Sequence, residues 1–361
     1  MQKLASIEKI LKIESIPDAS NIELAFVLGW QVVVKKNEFK VGDLCVYIQI
    51  DTVVPEKEEF EFLRERKFRV RTIKLRKQLS QGLIGTIETF LHTTDYGKFK
   101  EGKDVTELIG VQKYEKPDNN PIIEKPRMPK IWYKKWIYLF KYNILYKFFP
   151  ALLPKTRTPF PKNLLSITDE ERIQNIPKTL TNYEAKVFHS REKLDGSSIT
   201  IIHNRVFGKS KFRICSRRFE LHDKKNDWYR VFVDTDFERH IKALVEYYGT
   251  DDIIVQGECI GKFNGNHHNL KNDEIRLFNI FVDGKRLLPI SFETVTTKLN
   301  IPVCPFYGTF IMTFDMNTIL KLSEGPDCLN PSVPREGLVW RCIDDGFSFK
   351  VINNAYLLKE K

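Results

Sequence analysis

Four short patches of this chain, in a fixed order, contain residue types that support attack by a lysine on phosphorus. They are Lys193-Leu194-Asp195-Gly196, Gln256-Gly257-Glu258, Arg335-Glu336-Gly337 and Phe349-Lys350. A Lys-x-Asp-Gly run alone has an ordinary alternative, which is a lysine beside an Asp-Gly hairpin turn. The ordered set of four is much more specific than any one patch. It predicts that Lys193 captures a phosphoryl group as a covalent phosphoramidate.

Such a nucleophile needs an amine that can lose its proton near neutral pH. Free lysine has a pKa of about 10.4, so partial burial, neighbouring cations or a bound divalent metal must lower the pKa of Lys193. Asp195, Glu258 and Glu336 offer carboxylates that recruit a metal. Hard oxygen ligands of this kind favour Mg²⁺ or Mn²⁺.

Transfer of a nucleotidyl group also requires positive charge around the α-phosphate, where negative charge spreads in the transition state. Arg217, Arg218 and Lys350 are candidates for that role. Taken singly, each of them is more often a solvated basic side chain. His267 and His268 lack a third metal ligand at a suitable spacing, so we interpret them as loop residues.

Length and composition place the chain among globular proteins. Its 361 residues and 42% hydrophobic content allow a buried core and two or three domains. Six cysteines without a Cys-x-x-Cys pair argue against a zinc ribbon or a disulfide framework. With no secretion signal visible, we expect an intracellular protein, cytoplasmic or nuclear, with reduced thiols. The net charge of +11 favours a polyanionic partner, although basic proteins also use lysine for solubility.

Residues 22 to about 85 have the pattern of a small β-barrel. Apolar residues alternate with others at Leu44, Val46, Ile48 and Ile50. Turns that contain glycine separate the runs at intervals typical of short strands in a closed sheet.

A basic stretch at the end of this barrel is predicted to bind nucleic acid. Its candidate residues are Lys67, Arg69, Arg71, Lys74 and Arg76. The first three alternate with uncharged residues, which predicts a strand with its charges on one face. Such a face suits the phosphate-binding groove of an oligonucleotide-binding barrel. The alternative is an ordinary solvated strand face.

Residues 125–162 differ in composition from the rest of the chain, with ten Lys or Arg, ten aromatic residues and no Asp or Glu. Lysines interrupt the apolar run well short of the roughly 18 residues of a membrane span, so we expect no stable membrane insertion. A helix here would have a basic stripe and a broad aromatic face. Packing between domains is the first expectation for that face, nucleic acid the second and a membrane surface the third.

From about residue 181 the chain has the pattern of a larger α+β domain. Residues 185–193 and 198–206 are predicted to form a hairpin around Asp195-Gly196. A helix is predicted at 237–248, and further strands at 253–256, 275–282, 337–341 and 347–352. All of the predicted chemistry lies in this half.

At this point the four patches resemble the motifs of the covalent nucleotidyltransferase superfamily of polynucleotide ligases and RNA capping enzymes. Within it, the chain most closely resembles ATP-dependent RNA ligases of the Deinococcus/Naegleria type, which carry an N-terminal OB domain. Residues 4–44 resemble that OB module and 105–111 its connector, and the aromatic basic segment is poorly covered.

The resemblance implies an α+β fold in three parts. Residues 1–115 would form an OB-fold β-barrel that binds nucleic acid, and 116–180 a basic, aromatic, proline-containing connector. Residues 181–361 would form the adenylyltransferase, a nucleotidyltransferase (ATP-grasp-like ligase) domain of antiparallel sheets and helices.

The resemblance also implies roles in nucleotide binding. Lys193 would be the adenylated nucleophile, and Glu192 would help to read the amino edge of adenine. Arg217 would contact the ribose or phosphates and later the RNA. Phe278 would stack on adenine, with Phe281 as the alternative.

Metal and phosphate contacts are implied in the same way. Glu258 would meet the ribose or the waters of the catalytic metal, and Asp195 and Glu336 would hold that metal through water. Lys350 would contact the α-phosphate. Relatives commonly have a second lysine two positions later, where this chain has Ile352, so either Lys350 acts alone or another cation compensates.

The implied activity is sealing of RNA breaks by a monomer that uses ATP with Mg²⁺ or Mn²⁺, at nicks in duplexes rather than at free ends. A capping guanylyltransferase, which places its OB domain after the catalytic domain, and a DNA ligase are the enzymatic alternatives. A non-catalytic RNA-binding protein with a degenerate ligase domain is the alternative from another class.

Overall fold

The computed structural model of the chain describes residues 3–115, 131–145, 157–165, 169–206, 209–313 and 315–359. Residues 3–115 form the N-terminal β unit. Its strands are β1 (Ala5–Ser15), β2 (Ile22–Val27), β3 (Trp30–Lys35), β4 (Leu44–Ile48), β5 (Thr52–Val53), β6 (Arg69–Val70), β7 (Ile73–Leu75), β8 (Gln78–Ser80), β9 (Leu83–Gly85) and β10 (Gln112–Lys113). Its helices are α1 (Ile87–Leu91), α2 (Thr106–Ile109) and the 3₁₀ segments Glu58–Arg66 and Tyr96–Lys98.

The long strand β1 organises this unit because it belongs to two parts of the sheet. Its first half pairs with β4 and its second half with β2, and the register shifts between Ile10 and Lys12. A bulge at that point bends the strand and lets the five strands β3-β2-β1-β4-β9 curl around a core. Ile7, Val46 and Phe60 fill the core.

The predicted alternation along β4 describes only one of the two buried faces of this strand. Leu44, Val46 and Ile48 face one core as expected, but Cys45 and Tyr47 are also fully buried. They belong to a second apolar cluster that includes residues of the C-terminal unit. The strand therefore has no solvated face.

The C-terminal unit consists mainly of two sheets. Its strands are β11 (Arg157–Pro159), β12 (Glu171–Arg172), β13 (Val187–Lys193), β14 (Ser197–Val206), β15 (Lys209–Ser216), β16 (Phe219–Leu221), β17 (Ile253–Ile260), β18 (Glu274–Val282), β19 (Lys285–Arg286), β20 (Phe306–Ile311), β21 (Gly337–Cys342) and β22 (Ser348–Ile352). The larger sheet has the order β11-β16-β15-β14-β17-β18-β19, and the smaller β12-β22-β21-β13-β20.

This part of the chain also contains helices. They are α3 (Trp132–Leu139), which continues as a π-helical segment Phe140–Leu145, then α4 (Pro177–Leu180), α5 (Asp227–Asp234), α6 (Phe237–Tyr248), α7 (Pro289–Lys298), α8 (Met316–Leu322) and α9 (Asn354–Leu357), with 3₁₀ segments Ile173–Asn175, Thr181–Tyr183 and Lys262–Asn264. The predicted helix at 237–248 is confirmed. It buries Phe237, Ile241 and Leu244 against the larger sheet, as its helical spacing indicates.

The predicted hairpin around Asp195-Gly196 is wrong. Strand β13 pairs with β20 and β21 in the smaller sheet, whereas β14 pairs with β15 and β17 in the larger one. The intervening turn therefore crosses from one sheet to the other. A Cβ at Gly196 would lie 2.6 Å from both the Cys259 carbonyl oxygen and Glu258 Cγ, so only glycine fits this close approach.

Residues 157–180, within the predicted connector, contribute to both C-terminal sheets. Strand β11 pairs with β16, and β12 runs parallel to β22. Residues 116–130 and 146–156 lie outside the described residues, so the proposed three-part division stays a prediction. All six cysteines are free, as expected. No helix in the described part of the chain has both the length and the apolar character to cross a bilayer.

The N-terminal and C-terminal units share a buried interface around Trp30. The indole is fully buried, and its Nε1 donates to Asn175 Oδ1 at 2.6 Å. Ile352 and Leu357 join the same apolar cluster from the other unit. Arg172 Nη2 donates to Asp51 Oδ2 at 2.6 Å beside it. This interface fixes the barrel against the strand that carries Lys350.

We expect Trp30→Ala to destabilise the protein by about 3–5 kcal/mol, because it leaves a cavity at this interface and an unpaired amide oxygen. Urea unfolding measures the change. Leu11→Ala, which alters an exposed side chain on the same sheet, is the control and should stay within about 0.5 kcal/mol. Equal stabilities of the two variants would contradict this account of the interface.

Candidate active site

The two C-terminal sheets and the barrel enclose a cleft of about 1490 Å³. Its lining brings together residues that are far apart in the sequence. Asp51 comes from the barrel, Lys193 from the smaller sheet and Glu258 from the larger one. Lys350 lies on β22, and β22 pairs with β21, the strand next to that of Lys193. The four sequence patches thus meet in one cavity.

Lys193 is the last residue of β13, at the point where the chain leaves the smaller sheet. Alternation along the strand puts its side chain on the same face as Arg191. In register, Lys193 lies opposite Gly337 of β21, so Glu336 is brought next to it. The amine Nζ lies 2.6 Å from Glu336 Oε1. A side chain at Gly337 would collide with the Val351 carbonyl oxygen, which explains the glycine after Glu336.

The charge state of Lys193 differs from the expectation. Burial alone lowers its pKa, but Glu336, Glu258 and Asp195 together raise the pKa above its ordinary value. The amine is therefore a protonated ammonium. Lowering of this pKa requires that the carboxylates become engaged elsewhere.

Glu258 is the carboxylate with the most altered titration. It lies on β17 opposite Ser198, next to the turn that carries Asp195. Burial raises its pKa to about 8, and the nearby Glu336 adds to this, although Lys193 opposes it. Glu258 is therefore mostly protonated at neutral pH.

A second charge cluster is centred on Asp169, which the sequence analysis missed. Its carboxylate oxygens lie 2.9 Å from Lys350 Nζ and 3.0 Å from Arg217 Nη2, and Lys113 also contacts them. Burial works against ionisation of Asp169, but these cations hold its pKa well below the usual range. Burial also lowers the pKa of Lys350. Asp169 begins an Asp-Glu-Glu run, which is typical of solvated surface. No local signal in the sequence therefore marked this residue.

Of the two candidate adenine-stacking residues, Phe278 lines the cleft. It packs beside Leu194 and Cys304, at the base of the turn that follows Lys193. Phe281 instead packs with Phe160 in a different apolar cluster. The Phe278 carbonyl accepts a hydrogen bond of 2.9 Å from Arg341, whose burial lowers its pKa to about 10.

Glu192 lies on the opposite face of β13 from Lys193. Both of its carboxylate oxygens accept from the Cys328 backbone N–H, at 3.0 and 3.2 Å. Burial raises the pKa of this carboxyl group. Its contact with adenine stays a prediction.

His267 and His268 lie against the turn that follows Lys193. His268 is buried, its Nδ1 is 2.9 Å from Asp327 Oδ2, and its Nε2 is 3.1 Å from the Asp195 carbonyl oxygen. His267 Nδ1 lies 3.6 Å from Asp195 Oδ2. These residues do lie in a loop, as interpreted, but His268 also anchors the turn to Asp327. The residue types alone did not indicate this anchoring role, because only folding brings His268, Asp195 and Asp327 together.

The five basic residues predicted to bind nucleic acid do not share one strand face. Lys67 follows a 3₁₀ helix in a left-handed conformation, and β6 is only two residues long. Arg69 turns into the cleft, where it pairs with Asp51 at 3.3 Å. Arg71 is half-buried, whereas Lys74 and Arg76 are exposed on the β7–β8 hairpin. Binding of nucleic acid by these residues stays a prediction.

Comparison with known proteins matches two parts of the chain to family models. A family model for an OB-fold domain matches residues 4–87, and one for RNA ligase matches residues 186–352. No match is found among curated proteins.

Solved structures match over the full length. Naegleria gruberi RNA ligase with PPi is 29% identical, with a TM-score of 0.79 and coverage of 100% of this chain and 99% of that one. A lysine-to-alanine variant of the same ligase with ATP and Mn is 30% identical, with a TM-score of 0.78 and coverage of 99% of both chains. The expected α+β fold with an N-terminal OB-fold is confirmed. On this identity and coverage, the chain belongs to the RNA ligase family and is an enzyme of that family.

Proposed function

We propose that this ligase seals 3′-hydroxyl/5′-phosphate breaks in RNA, at nicks in duplexes, through a lysyl-AMP intermediate at Lys193. ATP and Mg²⁺ or Mn²⁺ would be its cofactors. The observation that supports this best is the Lys193 ammonium on a turn between two sheets, ringed by Glu336, Glu258 and Asp195. All the groups that the reaction needs come from one chain, so a monomer suffices.

The related structures support the assignment of these residues. The lysine and the aspartate replaced in two Naegleria variants are two positions apart, as Lys193 and Asp195 are. The glutamate and the lysine replaced in two others are fourteen positions apart, as Glu336 and Lys350 are. Relatives solved with ATP and Mn, and with AMP and Mn, support the choice of cofactors.

In the first step, Lys193 Nζ bonds to the α-phosphorus of ATP, and the bond to the bridging oxygen breaks, releasing pyrophosphate. Glu336, in contact with Nζ, is placed to take the proton that the ammonium must lose. Lys350 and Arg217, now paired with Asp169, supply positive charge for the phosphates.

In the second step, a 5′-phosphate oxygen of the RNA bonds to the AMP phosphorus, and the P–N bond to Lys193 breaks. In the third, a 3′-hydroxyl oxygen bonds to the RNA phosphorus, AMP leaves, and the hydroxyl proton is released. Arg69, which lines the cleft, and the exposed Lys74 and Arg76 belong to the barrel and would hold the nicked strand.

The residues around Lys193 fit a hard divalent cation. No three His, Cys, Asp or Glu side chains converge closely enough to hold an ion directly, within the ranges that the structure describes. Asp195, Glu258 and Glu336 therefore suit an ion that completes its shell with water. When bound, the cation would supply positive charge that competes with the ammonium for these carboxylates and so lowers the pKa of Lys193.

Lys193→Ala should abolish covalent labelling of the protein by α-labelled ATP in the presence of Mg²⁺ or Mn²⁺. Lys186→Ala is the control and should label like the parent. Lys186 directly precedes the strand of Lys193 and pairs with Asp344 at the surface. Labelling with GTP and a panel of RNA and DNA nicks test the nucleotide and the substrate. Persistent labelling of Lys193→Ala would refute the nucleophile, and RNA binding by an unlabelled parent protein would identify a non-catalytic binder.

We expect Mn²⁺ affinity to rise about fivefold between pH 7 and pH 8, because Glu258 has a pKa of about 8 and must lose its proton to assist binding. Titration calorimetry at both pH values measures this. In Glu258→Gln the increase should disappear. An equal increase in the parent and the variant would show that another group titrates.

Asp169→Asn should tighten binding of pyrophosphate about tenfold, because a carboxylate that competes for Lys350 and Arg217 is removed. Titration calorimetry with pyrophosphate gives the Kd. Asp344→Asn, a surface ion-pair partner outside the cleft, is the matched control. Weaker binding by Asp169→Asn would mean that Asp169 positions these cations rather than competing with the ligand.

A further inference from the structure

Residues 131–145, which we name the aromatic helix, expose large apolar side chains that the ligation site does not use. The exposed fractions are 75% for Trp132, 72% for Trp136 and 55% for Phe140. None of its side chains that the structure describes lines the cleft. None of the side chains in its α-helical part, Trp132–Leu139, is buried. This part of the structure therefore does not confirm the expectation that the segment packs between domains.

Most of the large exposed apolar side chains of the aromatic helix lie on a different face from its lysines, and Ile131 and the half-buried Tyr138 are exceptions. At 100° per residue, Trp132, Tyr133, Trp136, Ile137 and Phe140 fall within an arc of about 140°. The three described lysines of this helix fall outside that arc, and they are Lys134, Lys135 and Lys141. The helix is therefore amphipathic, with an exposed aromatic face and a basic opposite side.

The sequence segment that contains the aromatic helix carries charged residues of one sign only. Residues 125–162 contain ten Lys or Arg and no Asp or Glu, and the whole chain carries a formal net charge of +11. A partner for this surface must accept aromatic and aliphatic side chains on one side and supply negative charge at the flanks. An anionic lipid surface has both properties, in its acyl boundary and its headgroups.

The segregation of the two kinds of side chain favours lipid over RNA. Single-stranded RNA is bound where aromatic rings and cations point toward the same groove, so that bases stack while phosphates are neutralised. Here Lys135 and Lys141 start outside the aromatic arc, and only Lys134 reaches back to it, with its Nζ 6.0 Å from the centroid of the Tyr133 ring. In an interfacial helix, by contrast, the apolar arc is buried and the lysine stems extend back to the headgroups. Trp and Tyr are also the residues that prefer the membrane interface.

We propose that the aromatic helix binds the surface of an anionic membrane and tethers the ligase there. The apolar arc enters the boundary between headgroups and acyl chains, and Lys134, Lys135 and Lys141 contact lipid phosphates. The described side chains of the helix do not line the cleft, so their binding to a membrane leaves that lining open to RNA. This is peripheral binding, and it does not require a helix that spans the bilayer.

The test is flotation of the full-length protein with vesicles of phosphatidylcholine alone and of phosphatidylcholine with phosphatidylserine. We expect strong preference for the anionic vesicles. Trp132→Ser/Trp136→Ser should lose binding to both. Lys134→Glu/Lys135→Glu/Lys141→Glu should lose the anionic preference, by about fivefold for each lysine. Phe62→Ser/Val233→Ser, which alters exposed apolar side chains elsewhere, should float like the parent.

Thermal unfolding of each variant checks that it is folded. The proposal is overturned if the parent does not float with anionic vesicles, or if the tryptophan variant floats equally well. Loss of affinity for a fluorescent RNA in the helix variants, without vesicle binding by the parent, would assign the face to RNA. A dimer in light scattering that the tryptophan variant dissociates, again without vesicle binding, would assign it to a second copy. Since flotation does not depend on catalysis, failure of the proposed function would not affect this result.

Discussion

Lys193 carries a proton that the surrounding carboxyl groups hold in place, and the rest of the site is arranged around that constraint. Glu336 contacts the amine, and Glu336, Glu258 and Asp195 together raise the pKa of Lys193 although burial lowers it. As the nucleophile that we propose, Lys193 would be inert in its ammonium form until positive charge enters the cleft and competes for its partners. In this arrangement, binding of a metal with its nucleotide is what would release the amine.

The opposite side of the cleft has the reverse arrangement. Asp169 contacts Lys350, Arg217 and Lys113, so three cations suited to phosphate share one carboxylate before any phosphate arrives. Lys113 comes from the end of the N-terminal unit. The position where relatives commonly have a second lysine is taken here by Ile352, which is buried against Trp30 in the interface between the units. This chain thus uses that position for packing, while a lysine from another strand lies close to Lys350.

The crossing turn gives the site its precision. Strand β13 is fixed in the smaller sheet and β14 in the larger, and Gly196 lets the turn approach Glu258 closely. His268 holds the Asp195 carbonyl from the other side and is itself paired with Asp327. Because these supports belong to different sheets and a loop, a small relative movement of the sheets changes the distance between Lys193 and Glu258.

The sequence by itself determined the residue types of the chemistry, their order, the barrel before the catalytic unit and the helix at 237–248. These features are local: a motif, an apolar period and a charge density are all contained in neighbouring residues. Tertiary structure decided the rest. The expected hairpin is a crossover because strand pairing depends on partners more than a hundred residues away, as for Lys193 and Gly337. Likewise Asp169 and His268 gained their roles, and the pKa of Lys193 its direction, from charges that only folding brings within a few ångströms.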